Sequence, residues 1–175
     1  MIFRHNVNVD AVEQTAAQAE LDPEAAVQQV SFDGEWQTKE GRPQFQTTIA
    51  IPNGEPVMLE ADFPPPMGGT GSAPNPLAYC FWGGLACYAM TYAQEAARQG
   101  VELRSLKACA EAEVDMSRAL GVTDNAPVEQ IDWHLEVNAD ASREKLDEIK
   151  QIADDHCPGV YCLRNPIGLT THLVA

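Results

Sequence analysis

The sequence is short of basic residues. It has 11 lysines and arginines against 26 aspartates and glutamates in 175 residues, which leaves a formal net charge of −15 at pH 7. A chain this acidic repels both nucleic acid and anionic membrane surfaces, because each of them also carries negative charge. We therefore expect neither as a partner.

The sequence also lacks the cysteine spacings of a disulfide framework. It has five cysteines, an odd number, and none of them forms a CxxC motif or a zinc-ribbon spacing. The chain opens without a cationic segment followed by an apolar run, which is the pattern of a secretion signal. These absences favour a cytoplasmic protein with one or two chemically active thiols. The cysteines are Cys80, Cys87, Cys109, Cys157 and Cys162.

A metal site is a weaker alternative for two of these cysteines. His156, Cys157 and Cys162 lie close together in the sequence, but no fourth ligand follows at a spacing usual for zinc. We expect no metal and no other cofactor.

Charged residues are absent from Phe63 to Gln94. The most apolar part, 77–93, has 17 residues, whereas a membrane-spanning helix needs about 20. A helix that is apolar all round must be covered all round by protein or lipid. We therefore predict a buried central helix rather than a membrane span.

The remaining pattern predicts an α+β fold. Alternation of apolar and polar residues predicts three strands of an antiparallel meander, then two strands and a final strand after the second helix. Asn75-Pro76 opens the first long helix, which Gly100 stops, and Asp140 or Ser142 caps the second. Residues 8–29 form one or two short helices, with a start signal at Asp22-Pro23. The predicted strands are 30–36, 45–51, 57–61, 106–116, 131–137 and 167–173, and the predicted long helices are 76–98 and 142–157.

The central helix carries small residues on one face, including Cys80, Gly84 and Cys87. Small residues permit close approach, so we expect this face to pack tightly against a second helix or a second subunit. Seven helical residues span about 10 Å, which exceeds the disulfide limit of about 7 Å between Cα atoms. Cys80 and Cys87 therefore cannot pair, and Cys157 is the natural partner from elsewhere. For Cys80 and Cys162, packing as small apolar residues is the simpler interpretation.

Several short motifs together resemble the OsmC/Ohr superfamily of osmotically induced and organic hydroperoxide resistance proteins. They are Gly68-Gly69, Ala73-Pro74-Asn75-Pro76, Leu85-Ala86-Cys87 and Cys157-Pro158. The resemblance covers residues 30–175, so residues 1–29 are expected to be a helical extension of one OsmC-like domain. It implies antiparallel sheets wrapped round two long central helices in an intertwined homodimer, with active sites at the subunit interface.

The resemblance also implies a chemistry. Cys87 would be the peroxidatic cysteine, which attacks an organic hydroperoxide and becomes a sulfenic acid. Cys157 would resolve it to a disulfide, which a small or protein dithiol then reduces. Attack requires the thiolate, so the pKa of Cys87 should fall below about 8.5, and Arg42 occupies the expected place of the family's activating arginine.

One position departs from the family pattern. Peroxidatic members carry a glutamate just after the Asn-Pro pair, whereas this chain has Leu77 and Ala78. Glu60 is a candidate replacement, and Cys80 and Phe81 are candidate auxiliary residues of a substrate pocket. The alternative function is therefore an OsmC-like protein with weak or no peroxidase activity that binds a small apolar ligand at the dimer interface.

Overall fold

The computed structural model describes residues 1–174 and divides the chain into two compact units. One unit comprises Thr15–Phe81, and the other comprises Met1–Gln14 together with the chain from Trp82 onward. The family resemblance predicts a boundary between an N-terminal extension and the OsmC-like domain at residue 29. The division into two units does not test that boundary, which stays a prediction.

The N-terminal segment forms a hairpin and a helix. Strands β1 (Phe3–Arg4) and β2 (Val7–Asn8) pair across His5 and Asn6, which both have positive φ. Helix α1 (Val9–Leu21) follows directly, and a short 3₁₀ helix capped by Asp22 comes after it. The prediction of one or two short helices in this segment is therefore confirmed, whereas the hairpin was not predicted.

The meander lies in the first unit. Strands β3 (Glu35–Trp36), β4 (Phe45–Ile49) and β5 (Val57–Ala61) form an antiparallel sheet in that order, as predicted. The first strand is shorter than predicted. Beyond the paired residues Glu35 and Gln46, the Thr47 hydroxyl donates to the Asp33 carbonyl.

Helix α2 (Pro76–Arg98) agrees with the prediction at both ends. The Asn75 side chain accepts a hydrogen bond from the Leu77 N–H at 2.9 Å. At the other end, Gly100 adopts a φ of 80°, a left-handed conformation that glycine reaches without steric cost and that commonly terminates helices.

The second unit contains the second sheet and its covering helices. Strands β6 (Leu103–Ala112) and β7 (Ile131–Ala139) pair antiparallel, and β6 begins three residues before the predicted start at 106. Ser142 caps α3 (Arg143–His156) as predicted, and a further helix, α4 (Pro158–Arg164), follows immediately. The buried core joins α2, α3 and α4 through Tyr88, Tyr92, Ala96, Ile149, Ala153, Cys157 and Val160.

The prediction of a strand at 167–173 is wrong for this chain. No strand pairs with this segment among the described residues. Leu169 and Leu173 are 86% and 95% exposed. Alternation predicts a strand only where a sheet edge is present to pair with it, and the described chain brings no edge to this segment.

Candidate functional site

Cys87 and Cys157 lie together in the second unit. The Cys157 thiol donates to the Cys87 sulfur with an Sγ–Sγ distance of 3.6 Å, and both thiols are free. Cys157 is buried, whereas Cys87 is half-buried. The two sulfurs are thus within a short movement of bonding, because a disulfide S–S bond is about 2.05 Å long.

The chain reaches this arrangement through the junction of α3 and α4. Cys157 ends α3, and Pro158 starts α4 as its first residue, a position where the missing N–H costs nothing. Gly159 then lies against α2. A methyl group at Gly159 would lie 3.1 Å from the Cys87 Cβ and 3.3 Å from the Gly84 carbonyl oxygen. The glycine therefore allows α4 to approach the redox pair.

Close packing requires a glycine at one position of the Gly83-Gly84 pair in α2, namely Gly84. A methyl group here would lie 3.0 Å from the Trp133 ring and 3.1 Å from Leu163. Gly83, its neighbour, faces no atom within 4 Å among the described residues. The prediction of tight packing at the small-residue face is therefore confirmed at Gly84, where the partners are β7 and α4 of the same chain.

The pKa of Cys87 shifts in the direction opposite to the expected one. Burial of the sulfur raises its pKa, the Gly159 N–H that donates to the sulfur lowers it, and the neighbouring Cys157 thiol raises it further. The net effect is a pKa above the ordinary value. The expected lowering of the Cys87 pKa is therefore not found among the described residues, since no cation is among the groups with the largest effects on it.

The other predicted site residues lie in the first unit. Arg42 is exposed beyond β3 and lines a cleft of about 520 Å³ that Asp62 also lines. Glu60 lies on β5, and its backbone carbonyl accepts a hydrogen bond from the Tyr79 hydroxyl at 2.7 Å. Cys80 is exposed and Phe81 is half-buried. The structure therefore brings Cys87 and Cys157 together in one unit and places the remaining candidates in the other.

Asp62 is a buried carboxylate that the sequence interpretation missed. It is 2% exposed, and its Oδ2 accepts hydrogen bonds from both the N–H and the hydroxyl of Thr70 and of Ser72. These bonds, that of the Thr70 hydroxyl first, hold the pKa of Asp62 well below its ordinary value. A lone aspartate between a strand and a glycine-rich loop was the available signal, since aspartate commonly binds the backbone of a following loop.

A cavity of about 420 Å³ lies in the second unit, and neither Cys87 nor Cys157 lines it. Its wall includes Tyr88, which follows Cys87, and Val160, which follows Gly159. The rings of Tyr88 and Trp133 pack with centroids 5.5 Å apart, and the indole N–H of Trp133 has no partner among the described residues. Arg164 also lines the cavity. Glu129, Gln130 and Asp154 line it as well, so the space combines apolar walls with several polar and charged groups.

The described residues carry neither a metal-binding cluster nor a membrane-spanning helix. No group of three or more histidine, cysteine, aspartate or glutamate side chains is arranged to hold a metal ion in residues 1–174, so the zinc alternative at Cys157 and Cys162 gains no support. Over the same residues, no helix combines the length and the apolar character needed to cross a membrane.

Comparison with known proteins gives a matching family and several solved structures of the same fold. The model of the family described as OsmC-like protein matches residues 69–172, more than half of the chain. The solved OsmC-like protein of Mycoplasma pneumoniae superposes with a TM-score of 0.57 and 20% identity, over 78% of this chain and 89% of its own. No curated protein matches the chain.

Two further solved structures carry functional descriptions. The organic hydroperoxide resistance protein OsmC of Legionella pneumophila, also described as a predicted redox protein, gives a TM-score of 0.53 and 18% identity, with 79% and 92% coverage of this chain and its own. A Vibrio cholerae protein assigned to organic hydroperoxide resistance, with captopril bound in one of its active sites, superposes with a TM-score of 0.51 and 16% identity. The match covers 79% of this chain and 88% of its own. At these identities the likeness establishes a common fold.

Proposed function

The chain belongs to the OsmC-like protein family, and from this premise we propose that it is a thiol-dependent peroxidase that reduces organic hydroperoxides. The observation that carries the proposal is the Sγ–Sγ distance of 3.6 Å between Cys87 and Cys157. Two of the relatives with the same fold are described as organic hydroperoxide resistance proteins, which supports the same substrate class here.

The reaction would follow from the different exposure of the two thiols. The Cys87 thiolate, the more accessible sulfur, attacks the terminal oxygen of the hydroperoxide. The O–O bond breaks, Cys87 becomes a sulfenic acid, and the substrate leaves as an alcohol after taking up one proton. Cys157 then attacks the Cys87 sulfur, water leaves, and the disulfide forms. A dithiol supplies two electrons and two protons to restore both thiols.

Activation of Cys87 needs a cation that lowers its pKa, because burial alone raises it. We assign this role to Arg42, the position at which the family resemblance expects it. Glu60, Cys80 and Phe81 stay candidates for auxiliary or pocket roles.

The working form proposed is a homodimer. Helix α2 leaves Trp82 66% and Met90 71% exposed, although the helix carries no charge before Glu95. Large apolar side chains exposed on one helix are typical of a surface that another chain covers. A cytoplasmic location would keep both thiols reduced between turnovers, as the mechanism requires.

A second function has specific support. Leu77 and Ala78 replace the family's glutamate, and the pKa of Cys87 is raised rather than lowered. Together with the cavity of about 420 Å³ that Tyr88 and Val160 help to line, this favours a protein that binds a small apolar ligand and reduces hydroperoxides weakly or not at all.

Steady-state peroxide consumption separates the two functions. The protein is mixed with cumene hydroperoxide and a dithiol, and variants C87S, C157S and C109S are compared. The peroxidase proposal predicts no turnover for C87S, a sulfenic acid that accumulates in C157S, and unchanged turnover for C109S, since Cys109 is an exposed strand residue. Wild-type consumption no faster than that of C87S would favour the binding protein.

A further inference from the structure

A polar network joins α2 to α3 beside the two thiols. The Tyr88 hydroxyl donates to Oδ1 of Asp154 at 2.5 Å, and the Lys150 ammonium donates to Oδ2 of the same carboxylate at 2.7 Å. Tyr88 is only 4% exposed, whereas the Lys150 side chain is 55% exposed. The network therefore runs from the core to the surface at one point of contact between the two helices.

The position of this network relates directly to the thiols. Tyr88 is the residue after Cys87, and Asp154 lies three residues, slightly less than one helical turn, before Cys157. A bond between these two side chains thus constrains the backbone at both cysteines. Burial opposes ionisation of Asp154, but the bonds from Lys150 and Tyr88 outweigh it and lower the pKa of Asp154. The acceptor is therefore a carboxylate, which makes the stronger type of hydrogen bond.

We propose that Tyr88 and Asp154 are positioning residues that hold the sulfurs of Cys87 and Cys157 at bonding distance. Neither residue touches the reacting atoms as a catalyst. They keep the Cys157 thiol close to the Cys87 thiol, which raises the effective concentration of one thiol near the other and so stabilises the disulfide. The assignment deepens the proposed function and rests on its redox pair, but it does not depend on the peroxide step.

The chain supplies a matched control one turn further along α2. The Tyr92 hydroxyl donates to the backbone carbonyl of Leu146 at 3.3 Å, and Tyr92 is 2% exposed. It joins the same two helices through the same type of side chain, but it lies further from both cysteines along the two helices. Each hydroxyl makes one partly buried hydrogen bond between the two helices, and the bond to the Asp154 carboxylate is the stronger type. The effect on the thiols is therefore compared with the loss in free energy of unfolding of each variant, which separates positioning from general stability.

The test compares Y88F with Y92F in glutathione buffers. Glutathione disulfide oxidises Cys87 and Cys157 to their disulfide and becomes two glutathione thiols, a two-electron exchange that needs no peroxide. Mass spectrometry of the Cys87–Cys157 peptide pair gives the equilibrium constant. We expect Y88F to lower it about tenfold, which corresponds to about 30 mV for this couple, and Y92F to leave it within about twofold of the wild type, a far smaller shift.

A second variant keeps the test decisive if Y88F does not fold. D154A removes the acceptor from the other side and should lower the constant to a similar extent. In the double variant Y88F/D154A the two effects should not add, because each removes the same contact. Equal constants for Y88F, D154A and Y92F, all folded by circular dichroism, would overturn the assignment. Failure of the peroxidase proposal would instead leave this equilibrium unchanged and abolish only hydroperoxide consumption.

Discussion

Cys87 is surrounded by groups that act on its charge in opposite directions. Burial and the neighbouring thiol raise its pKa, whereas the Gly159 N–H favours the thiolate. A peroxidatic cysteine needs the thiolate at neutral pH. The difference between this environment and that requirement is the reason to seek a cation, and Arg42 is the candidate to test.

Substitution of Arg42 tests that role. R42M should raise the apparent pKa of Cys87 and slow its reaction with cumene hydroperoxide at neutral pH roughly tenfold for each unit of that rise, because only the thiolate attacks. The pH dependence of iodoacetamide alkylation of Cys87 measures the pKa directly. K39M is the matched control, because Lys39 lines the same cleft as Arg42. Equal effects of the two variants would contradict a specific role for Arg42.

Asp62 is the second residue whose charge matters. The hydrogen bonds of Thr70 and Ser72 hold its pKa below the unfolded value of about 3.9. The stability it contributes is therefore complete above that value and is lost as the pH falls through the lower folded pKa. D62N should be less stable than the wild type at pH 7, and the difference should begin to shrink below about pH 4, since the unfolded state then binds the proton while the folded state still excludes it.

Urea unfolding of D62N across pH 2–7 measures this dependence, with the exposed loop variant E55Q as the control. A constant difference between D62N and the wild type over that range would show that the Asp62 charge does not stabilise the loop.

At the scale of elements, the sequence predicted those whose signals are local. Helix α2 was predicted at both ends because Asn75 and Gly100 are strong start and stop signals. Helix α4 is absent from the prediction, whose second long helix ends at residue 157, although proline is favoured at a first helical position and Pro158 occupies it. The prediction of a strand at 167–173 was wrong because a strand needs a neighbouring strand to pair with, and the sequence of the segment does not specify that neighbour.

The same limit applies to the site. The proximity of Cys87 to Cys157 was expected from apolar faces and from the family resemblance. The contact of Tyr88 with Asp154 joins residues 66 positions apart, and no periodicity in either helix predicts it. Asp62 was missed because its partners follow it in a loop, where hydrogen bonding depends on the path of the backbone.

Packing of α2 provides a prediction about two adjacent glycines. G84A should lower the free energy of unfolding by about 1–3 kcal/mol, the usual cost of overpacking, because the new methyl meets Trp133 and Leu163. G83A should raise it by roughly 0.5–1 kcal/mol, because alanine is the better helix former and the methyl meets no atom of the described chain. Urea unfolding of both variants tests this, and equal effects would exclude the close approach at Gly84.

The whole molecule combines high negative charge with exposed apolar side chains. A net charge of −15 opposes non-specific association, so association of two copies would have to rely on specific apolar contacts. The exposed side chains Trp82 and Met90 on α2 are the proposed contacts.

Substitution of one of these side chains tests the homodimer. M90E should convert a dimer to a monomer in light scattering after size exclusion, because a buried carboxylate without a partner is costly. V122E is the control, because Val122 is 73% exposed and lies in the loop between β6 and β7. A wild-type protein that is already a monomer, or an M90E variant that stays dimeric, would contradict the proposed surface.

The central claim is that Cys87 and Cys157 form a catalytic redox pair, and a single turnover tests it most directly. The reduced protein is mixed with a slight excess of cumene hydroperoxide, a parallel sample receives hydrogen peroxide, and the thiols are mapped by mass spectrometry over time. The account predicts rapid formation of the Cys87–Cys157 disulfide, faster with the organic peroxide. Both thiols remaining free for minutes, or only a slow build-up of sulfinic acid at Cys87, would contradict it.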